Sequence, residues 1–130
     1  MLFTRETDYA LRLLRNLSDT EPTSISKIVK KEYISNAIAY KVARKLEHGK
    51  LIKSIRGNAG GYQLTKAPDK ITVLDVYMVM NPQSMLNECL REDVICPRNV
   101  DDSCKLHYEL KRIQDILYKE LDKCTISEIQ

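Results

Sequence analysis

The sequence predicts a mainly α-helical fold with a small β-hairpin and a long C-terminal helix, and three observations lead to this prediction. Three stretches within residues 1–50 place apolar side chains at helical spacing. Two short apolar runs with a glycine-rich turn between them follow within residues 51–64, as expected of a β-hairpin. Toward the C-terminus, apolar residues recur at every third or fourth position from residue 106 to residue 124, which indicates one long helix.

The first two helices are each predicted from an apolar stripe preceded by a capping residue. Thr4 is placed to cap the first helix and Ser24 to cap the second. The inward positions are Ala10, Leu13, Leu14 and Leu17 in the first helix, and Ile25, Ile28 and Val29 in the second. The polar stretch SDTEPTS between the two helices indicates a loop.

A third helix is predicted from about Asn36 to His48, capped by Ser35 and closed by Gly49. Its inward positions are Ile38, Ala39, Val42, Ala43 and Leu46. Its outer face carries one acid, Glu47, and three cations, Lys41, Arg44 and Lys45. A helix that required only solubility would be expected to carry more carboxylates, so this face suits the phosphates of a nucleic acid.

The segment LIKSIRGNAGGYQLTKAP predicts the β-hairpin. Its strands would contain Leu51, Ile52 and Ile55 on one side, and Tyr62, Gln63 and Leu64 on the other. In the turn, Gly57, Gly60 and Gly61 are free to take positive φ. Three helices followed by a hairpin is the order of a winged helix-turn-helix domain, predicted here over residues 1–80. In such a domain the third helix enters the DNA major groove, and the hairpin, or wing, reaches the backbone or the minor groove.

This docking geometry identifies candidate DNA contacts. Arg56 at the base of the wing, together with the backbone of Gly57, is placed for a narrow, electronegative minor groove. The residues expected to approach base edges and phosphates from the third helix and its cap are Ser35, Asn36, Ala37, Tyr40, Lys41 and Arg44.

Three further parts are predicted after the DNA-binding domain. The stretch KITVLDVYMVMN indicates one more helix that packs onto the domain through Val73, Leu74, Val76, Tyr77 and Met80, and that ends at Pro82. A cysteine-bearing loop over 81–104, a helix over 105–124 and a short tail over 125–130 follow. The narrow apolar seam of the long helix consists of Leu106, Leu110, Ile113, Leu117 and Leu121. Such a seam pairs with its copy in a homodimer or folds back onto its own core.

Charge is distributed unevenly along the chain. Residues 1–70 contain 14 Lys/Arg and 7 Asp/Glu, a net charge of +7, whereas residues 71–130 contain 7 and 11, a net charge of −4. A basic first half joined to an acidic second half favours a module that binds polyanions, followed by a region for control or assembly.

The stretch CLREDVICPRNVDDSCKLH raises the question of a metal site. The N-terminal residues do not follow the pattern of a signal peptide, and no segment approaches the roughly 18 apolar residues of a membrane span. A cytoplasmic protein without membrane contact is therefore expected, and its thiols would stay reduced. In that compartment Cys89, Cys96 and Cys104 favour a metal or redox site. An iron–sulfur cluster, a Cys₃His zinc site, a cluster-free thiol sensor and three unrelated core residues remain open.

Two stretches of this chain resemble the IscR/NsrR-type winged-helix regulators. They are ISNAIAYKVARKLEHGKLIKSIRGNAGGYQL, which is similar to the recognition helix and wing of that family, and TRETDYALRLL, which is similar to its first helix. The resemblance implies homodimers that bind palindromic operators in double-stranded DNA. It also places Ala37 and Tyr40 where base-contacting side chains lie. Tyr40 and Lys41 stand where IscR-like members have acidic and amide groups, so a different operator sequence is implied.

The resemblance further implies an iron–sulfur cluster that tunes DNA affinity, held by three cysteines and one other residue. The pair Cys104–His107 is similar to the cluster-binding segment of the family, although the six and seven residues between the cysteines are a little more than usual. His107 matches members with a histidine and a 2Fe-2S cluster. Asp8 matches members in which an aspartate from the partner's first helix binds a 4Fe-4S cluster. Both residues remain candidates for the fourth ligand.

Two classes of function therefore follow from the sequence. The first is a homodimeric transcription regulator, and the second is an iron–sulfur carrier or a small redox enzyme. The chain has two histidines and no Ser-His-Asp or paired-carboxylate pattern, so no catalytic site is expected. A carrier would not need a basic helix and a wing, and the regulator is the preferred interpretation.

Overall fold

The computed structural model describes residues 2–98 and 103–130. Within these ranges the helices are α1 (Arg5–Leu14), α2 (Ile25–Glu32), α3 (Asn36–His48), α4 (Val73–Met80) and α5 (Lys105–Lys123), and the strands are β1 (Ile52–Ile55) and β2 (Gly61–Leu64). The predicted fold class, mainly α with a β-hairpin wing, is confirmed. Residue 1 of the predicted DNA-binding domain and residues 99–102 of the predicted cysteine-bearing loop lie outside the described residues.

The helix starts follow the local sequence signals. The Thr4 hydroxyl accepts a hydrogen bond from the Thr7 N–H at the start of α1, at 3.2 Å. The Ser35 hydroxyl accepts one from the Ile38 N–H at the start of α3, at 3.3 Å. Ser24 occupies the cap position of α2, but its side chain makes no capping hydrogen bond. Each satisfied N–H stabilises its helix by about 1 kcal/mol.

One core holds the DNA-binding helices together. Helix α1 packs against α3 and α4, and α2 packs against α3. The buried side chains include Leu13, Leu14, Ile28, Val42, Leu46, Leu64 and Val76. The expectation that Ile38 faces inward is wrong, because Ile38 is exposed while Ala39, Val42 and Leu46 are buried. At about 100° per residue, Ile38 lies about 90° from the centre of that stripe, at its edge.

The wing is a two-stranded antiparallel hairpin in which Ile52 pairs with Leu64 and Ile55 pairs with Gly61. Gly57 has a φ of 114°, as expected of the turn. Gly60 and Gly61 do not use the freedom to take positive φ. These two positions need glycine for space: a Cβ would lie 2.2 Å from the Ile55 carbonyl oxygen at Gly60, and 2.3 Å from a Thr23 carbonyl oxygen at Gly61.

The C-terminal residues 125–130, described above as a tail, return to the core. A turn over Ile126–Ile129 follows α5, and Ile126 is fully buried. The Ile126 N–H donates to the Ile71 carbonyl at 2.9 Å, and the Gln130 side chain donates to the Leu17 carbonyl at 2.8 Å. The end of α5 is thereby attached to the DNA-binding domain.

Helix α5 begins at the predicted residue, ends at Lys123, one residue before the predicted end, and packs against α4. The contact involves the ring of Tyr118, whose centroid lies 6.2 Å from that of Tyr77. Gln114 of α5 is also buried, and its side chain accepts a hydrogen bond from the Leu86 N–H. The predicted apolar seam lies beside this contact, with Leu106 and Ile113 exposed. None of the helices in the described part of the chain combines the length and the hydropathy that a membrane crossing requires.

Candidate nucleic-acid interface and cysteine segment

The predicted DNA contacts of α3 and the wing all lie on the protein surface. On α3 and its cap the exposed residues are Ser35, Asn36, Ala37, Tyr40, Lys41 and Arg44, and on the wing they are Arg56 and Gly57. The helical spacing of residues 36, 37, 40, 41 and 44 places them on one side of α3. The opposite side is buried against α1 and α2, so this outer side is the one free to meet a ligand.

The wing is attached to α3 by the only acid on that helix. The Glu47 carboxylate accepts a hydrogen bond from the Ser54 N–H of β1 at 3.1 Å. Tyr62 of β2 is half-buried, and burial and then the charge of Glu47 raise the pKa of its phenol. Glu47 therefore orients the wing relative to α3, a role that the composition of the helix alone does not indicate.

A second acid, Glu6 of α1, lies at the cationic side of α3. One carboxylate oxygen accepts a hydrogen bond from Lys41 Nζ at 2.5 Å, and the other accepts one from Lys45 Nζ. These hydrogen bonds, from Lys41 and then from Lys45, lower the pKa of Glu6. Sequence reasoning missed this residue, because its partners lie 35 and 39 positions away and no local pattern connects them.

The helix-turn-helix is held to α1 by a buried carboxylate. Glu32, at the end of α2, is 4% exposed. Its oxygens accept hydrogen bonds from the Arg15 guanidinium at 2.8 and 2.5 Å and from the Asn16 amide at 2.6 Å. The hydrogen bonds from Arg15 lower the pKa of Glu32 most, with a further contribution from Asn16. The chain then turns through Tyr33, which has a left-handed φ of 55°.

The predicted cluster ligands occupy several separate elements. Cys89 lies in a short turn over Glu88–Leu90, and Cys96 lies in a stretch without regular structure. Cys104 occupies the N-cap position of α5 without a side-chain capping hydrogen bond, and His107 is in the first turn. The three thiols are free and half-buried. Asp8, on α1, forms an ion pair with Arg12 at 3.0 Å.

The arrangement of these residues does not form a metal site. Within residues 2–98 and 103–130, no three His, Cys, Asp or Glu side chains gather closely enough to hold a metal ion. All five candidate ligands belong to these ranges. An iron–sulfur cluster or a zinc ion therefore does not fit this conformation of the cysteine segment. Which residues act as ligands stays a prediction.

The start of the cysteine segment is nevertheless tied to the rest of the molecule. The hydrogen bonds that connect it to other helices include Asn81 to the Thr7 hydroxyl (2.8 Å), Ser84 to Tyr77 (2.9 Å) and the Leu86 N–H to Gln114 (2.8 Å). The segment thus contacts α1 at the residue next to Glu6. A displacement of residues 81–86 would change hydrogen bonds to α1, α4 and α5.

Comparison with known proteins shows relatives along the whole chain. Residues 3–130 match the model of Rrf2, a family described as an iron-dependent transcriptional regulator. Protein aau3 of Rhizobium meliloti (strain 1021) is 26% identical over 132 residues, which cover 99% of this chain and 84% of aau3. CymR (YrzC), the global cysteine regulator of B. subtilis, has 27% identity and a TM-score of 0.77, with 98% of this chain and 94% of CymR covered.

IscR of T. potens has the same fold, with a TM-score of 0.73, 21% identity, and 98% of this chain and 84% of IscR covered. The family match extends over nearly all of the sequence, so it does not depend on a single motif. The prediction that the chain is not an enzyme is confirmed by the nature of the family. The chain belongs to the Rrf2 family of transcriptional regulators.

Proposed function

We propose that this protein binds an operator as a homodimer, with α3 in the major groove and the wing against the minor groove or backbone. The single observation that supports this docking most is the outer side of α3. It is exposed, carries Lys41, Arg44 and Lys45, and is continuous with a wing that presents Arg56. Cations on one side of a helix can contact backbone phosphates, and the nearby Asn36 and Tyr40 can contact base edges.

The dimer would form through the seam of α5. Leu106 is 61% exposed and Ile113 is 44% exposed, and Leu110 and Leu117 beside them are only half-buried. Apolar side chains in a row along 19 residues are a typical pairing surface for a second copy of the same helix. Two identical DNA-binding modules would then occupy two half-sites. Sedimentation of the protein should give a dimer, and Ile113→Glu should shift it toward monomer.

Control of operator affinity is proposed to act through Cys89, Cys96 and Cys104. The composition of the segment and the iron-dependent family support an iron–sulfur cluster, with His107 or Asp8 as the fourth ligand. Because these residues are not gathered in the structure, a cluster would require another conformation of the segment. Its hydrogen bonds to α1, α4 and α5 would transmit such a change to the dimer. A difference of about 2–3 kcal/mol, or about 30- to 150-fold in affinity, is the usual scale of such coupling.

A regulator without an iron–sulfur cluster is the alternative, and the state of the three cysteines supports it. The three cysteines are free, half-buried thiols that no metal site brings together in the described residues. Regulation by thiol chemistry would use these side chains as they stand, whereas stabilisation by zinc would, like a cluster, require another conformation of the segment. These cases are separated by measuring iron, zinc and acid-labile sulfide per chain after purification without oxygen. Iron with equal sulfide indicates a cluster, zinc without sulfide a structural site, and neither leaves thiol chemistry. Cys124→Ser is the matched control for replacement of the three clustered cysteines.

The DNA-binding part is tested with a duplex of random sequence and an operator selected from a random library. Arg56→Ala should weaken operator binding about 5- to 30-fold and reduce the slope of log K against log salt by about one. Arg112→Ala is the control, because Arg112 is an exposed arginine on α5 that pairs with Glu109. An unchanged affinity in Arg56→Ala would contradict the proposed position of the wing.

A further inference from the structure

We infer that Glu6 is a specificity-determining residue of the DNA interface, which binds Lys41 and Lys45 in the free protein and weakens binding to DNA of arbitrary sequence. The inference rests on the proposed DNA-binding function and names a residue outside α3 and the wing. It starts from the two hydrogen bonds that the Glu6 carboxylate accepts from these lysines. Two of the three cations on the outer side of α3 are thus already paired before DNA arrives.

The geometry places this pair on the surface that DNA would cover. The Lys41 side chain is 64% exposed although its ammonium group is bonded to Glu6. A phosphate that approaches Lys41 or Lys45 therefore meets the carboxylate as well. Either the lysine leaves Glu6 for the phosphate, or the phosphate stays close to a like charge. Both alternatives weaken the purely electrostatic binding that every DNA sequence shares.

The operator that this protein recognises would compensate for the weaker electrostatic binding, and other DNA sequences would not. Lysine can donate directed hydrogen bonds to the O6 and N7 atoms of guanine in the major groove. Where a guanine stands opposite Lys41, the lysine exchanges one strong acceptor for another. Where no guanine lies opposite Lys41, nothing replaces the hydrogen bond that Lys41 made to Glu6. Glu6 would therefore increase the ratio of specific to non-specific affinity while lowering the absolute affinity.

A purely structural role for the pair predicts something different. Ion pairs between exposed side chains contribute little to folding, and the Lys41 and Lys45 side chains are 64% and 42% exposed. If Glu6 only oriented Lys41 and Lys45 for DNA, its removal would weaken DNA binding. If Glu6 competes with DNA, its removal would strengthen binding. The direction of the effect separates the two roles.

The test compares the wild-type protein with Glu6→Gln, which keeps the shape of the side chain and removes its charge. Fluorescence anisotropy would measure the affinity for a random-sequence duplex between 50 and 200 mM salt. At the low end, Glu6→Gln should bind about five- to tenfold more tightly, and its salt slope should steepen by up to about 0.9. Affinity for a selected operator should rise less, so the specificity ratio should fall.

Asp69→Asn is the matched control. It removes the same charge from an exposed residue that pairs with Lys70, in a short turn over Pro68–Lys70 that packs against the C-terminal turn. A second check is Lys41→Met, in which the effect of Glu6→Gln should shrink. If neither the wild type nor Asp69→Asn binds DNA, the proposed function fails. If both bind and Glu6→Gln has the same or a lower affinity for the random duplex, the inference about Glu6 is wrong.

Discussion

Replacing Glu32 with glutamine is expected to destabilise the helix-turn-helix, because Glu32 joins α2 to α1. The carboxylate is 4% exposed and accepts hydrogen bonds from Arg15 at 2.8 and 2.5 Å and from Asn16 at 2.6 Å. Glutamine has a similar shape, but it loses the charge and turns an N–H group toward one of these donors. A hydrogen bond to a charged group contributes about 1.5–3 kcal/mol, and loss of one partner leaves the other group unpaired.

The exposure of the partner sets the size of the effect. Removing one member of a fully buried ion pair costs about 3–5 kcal/mol, since the remaining charge stays without water. Arg15 is different, because its side chain is 45% exposed and its guanidinium can be hydrated again. We therefore expect a loss of about 1.5–3 kcal/mol at pH 7, which corresponds to a fall in Tm of roughly 5–12 °C.

The same pair makes the effect depend on pH. The hydrogen bonds from Arg15, and then from Asn16, place the pKa of Glu32 in the folded protein below its ordinary value of 4.5. The stabilisation is therefore fully present above pH 4.5 and is lost as the pH falls through the folded-state pKa. The difference in unfolding free energy between the wild type and Glu32→Gln should accordingly narrow below pH 4.5.

Urea unfolding followed by circular dichroism measures this difference, at one protein concentration because assembly changes the apparent stability. Glu120→Gln is the control, because it makes the same chemical change in an exposed pair with Lys123 and should stay within about 0.5 kcal/mol of the wild type. Equal stability of Glu32→Gln and the wild type at pH 7 would refute the role of the pair. A deficit of the same size at pH 7 and at pH 3.5 would refute its electrostatic origin.

Two further predictions concern backbone geometry. Gly61→Ala should lower the free energy of unfolding by about 2–4 kcal/mol, because the new Cβ would lie 2.3 Å from the Thr23 carbonyl oxygen and would disrupt the two hydrogen bonds between Thr23 and Tyr62. Thermal unfolding measures this change, and an unchanged Tm would contradict the close approach. Tyr33→Gly should stabilise the fold by about 0.5–1 kcal/mol, because Tyr33 has a φ of 55° and is 95% exposed. A lower urea midpoint for this variant would show that the Tyr33 side chain stabilises the turn by contacts that its exposure does not indicate.

The sequence by itself determined the elements of this protein. The apolar spacing and the capping residues predict α3 as Asn36–His48, as the structure has it, and a long helix over 105–124 that the structure ends one residue earlier, at Lys123. The same local signals predict the hairpin and the side of α3 that stays exposed. The prediction succeeds because a helix or a hairpin depends on residues a few positions apart, and the sequence shows the pattern of these residues directly.

Only the tertiary structure decided how these elements meet. Glu6 reaches Lys41 across 35 positions, and the C-terminal turn buries Ile126 in the core next to Ile71. Gly61 needs the space next to Thr23, which belongs to a different part of the chain. The clustering of cysteines in the sequence likewise does not gather them in space. Contacts between residues distant in the sequence depend on how whole surfaces pack, and a local sequence pattern does not identify which distant residue will be contacted.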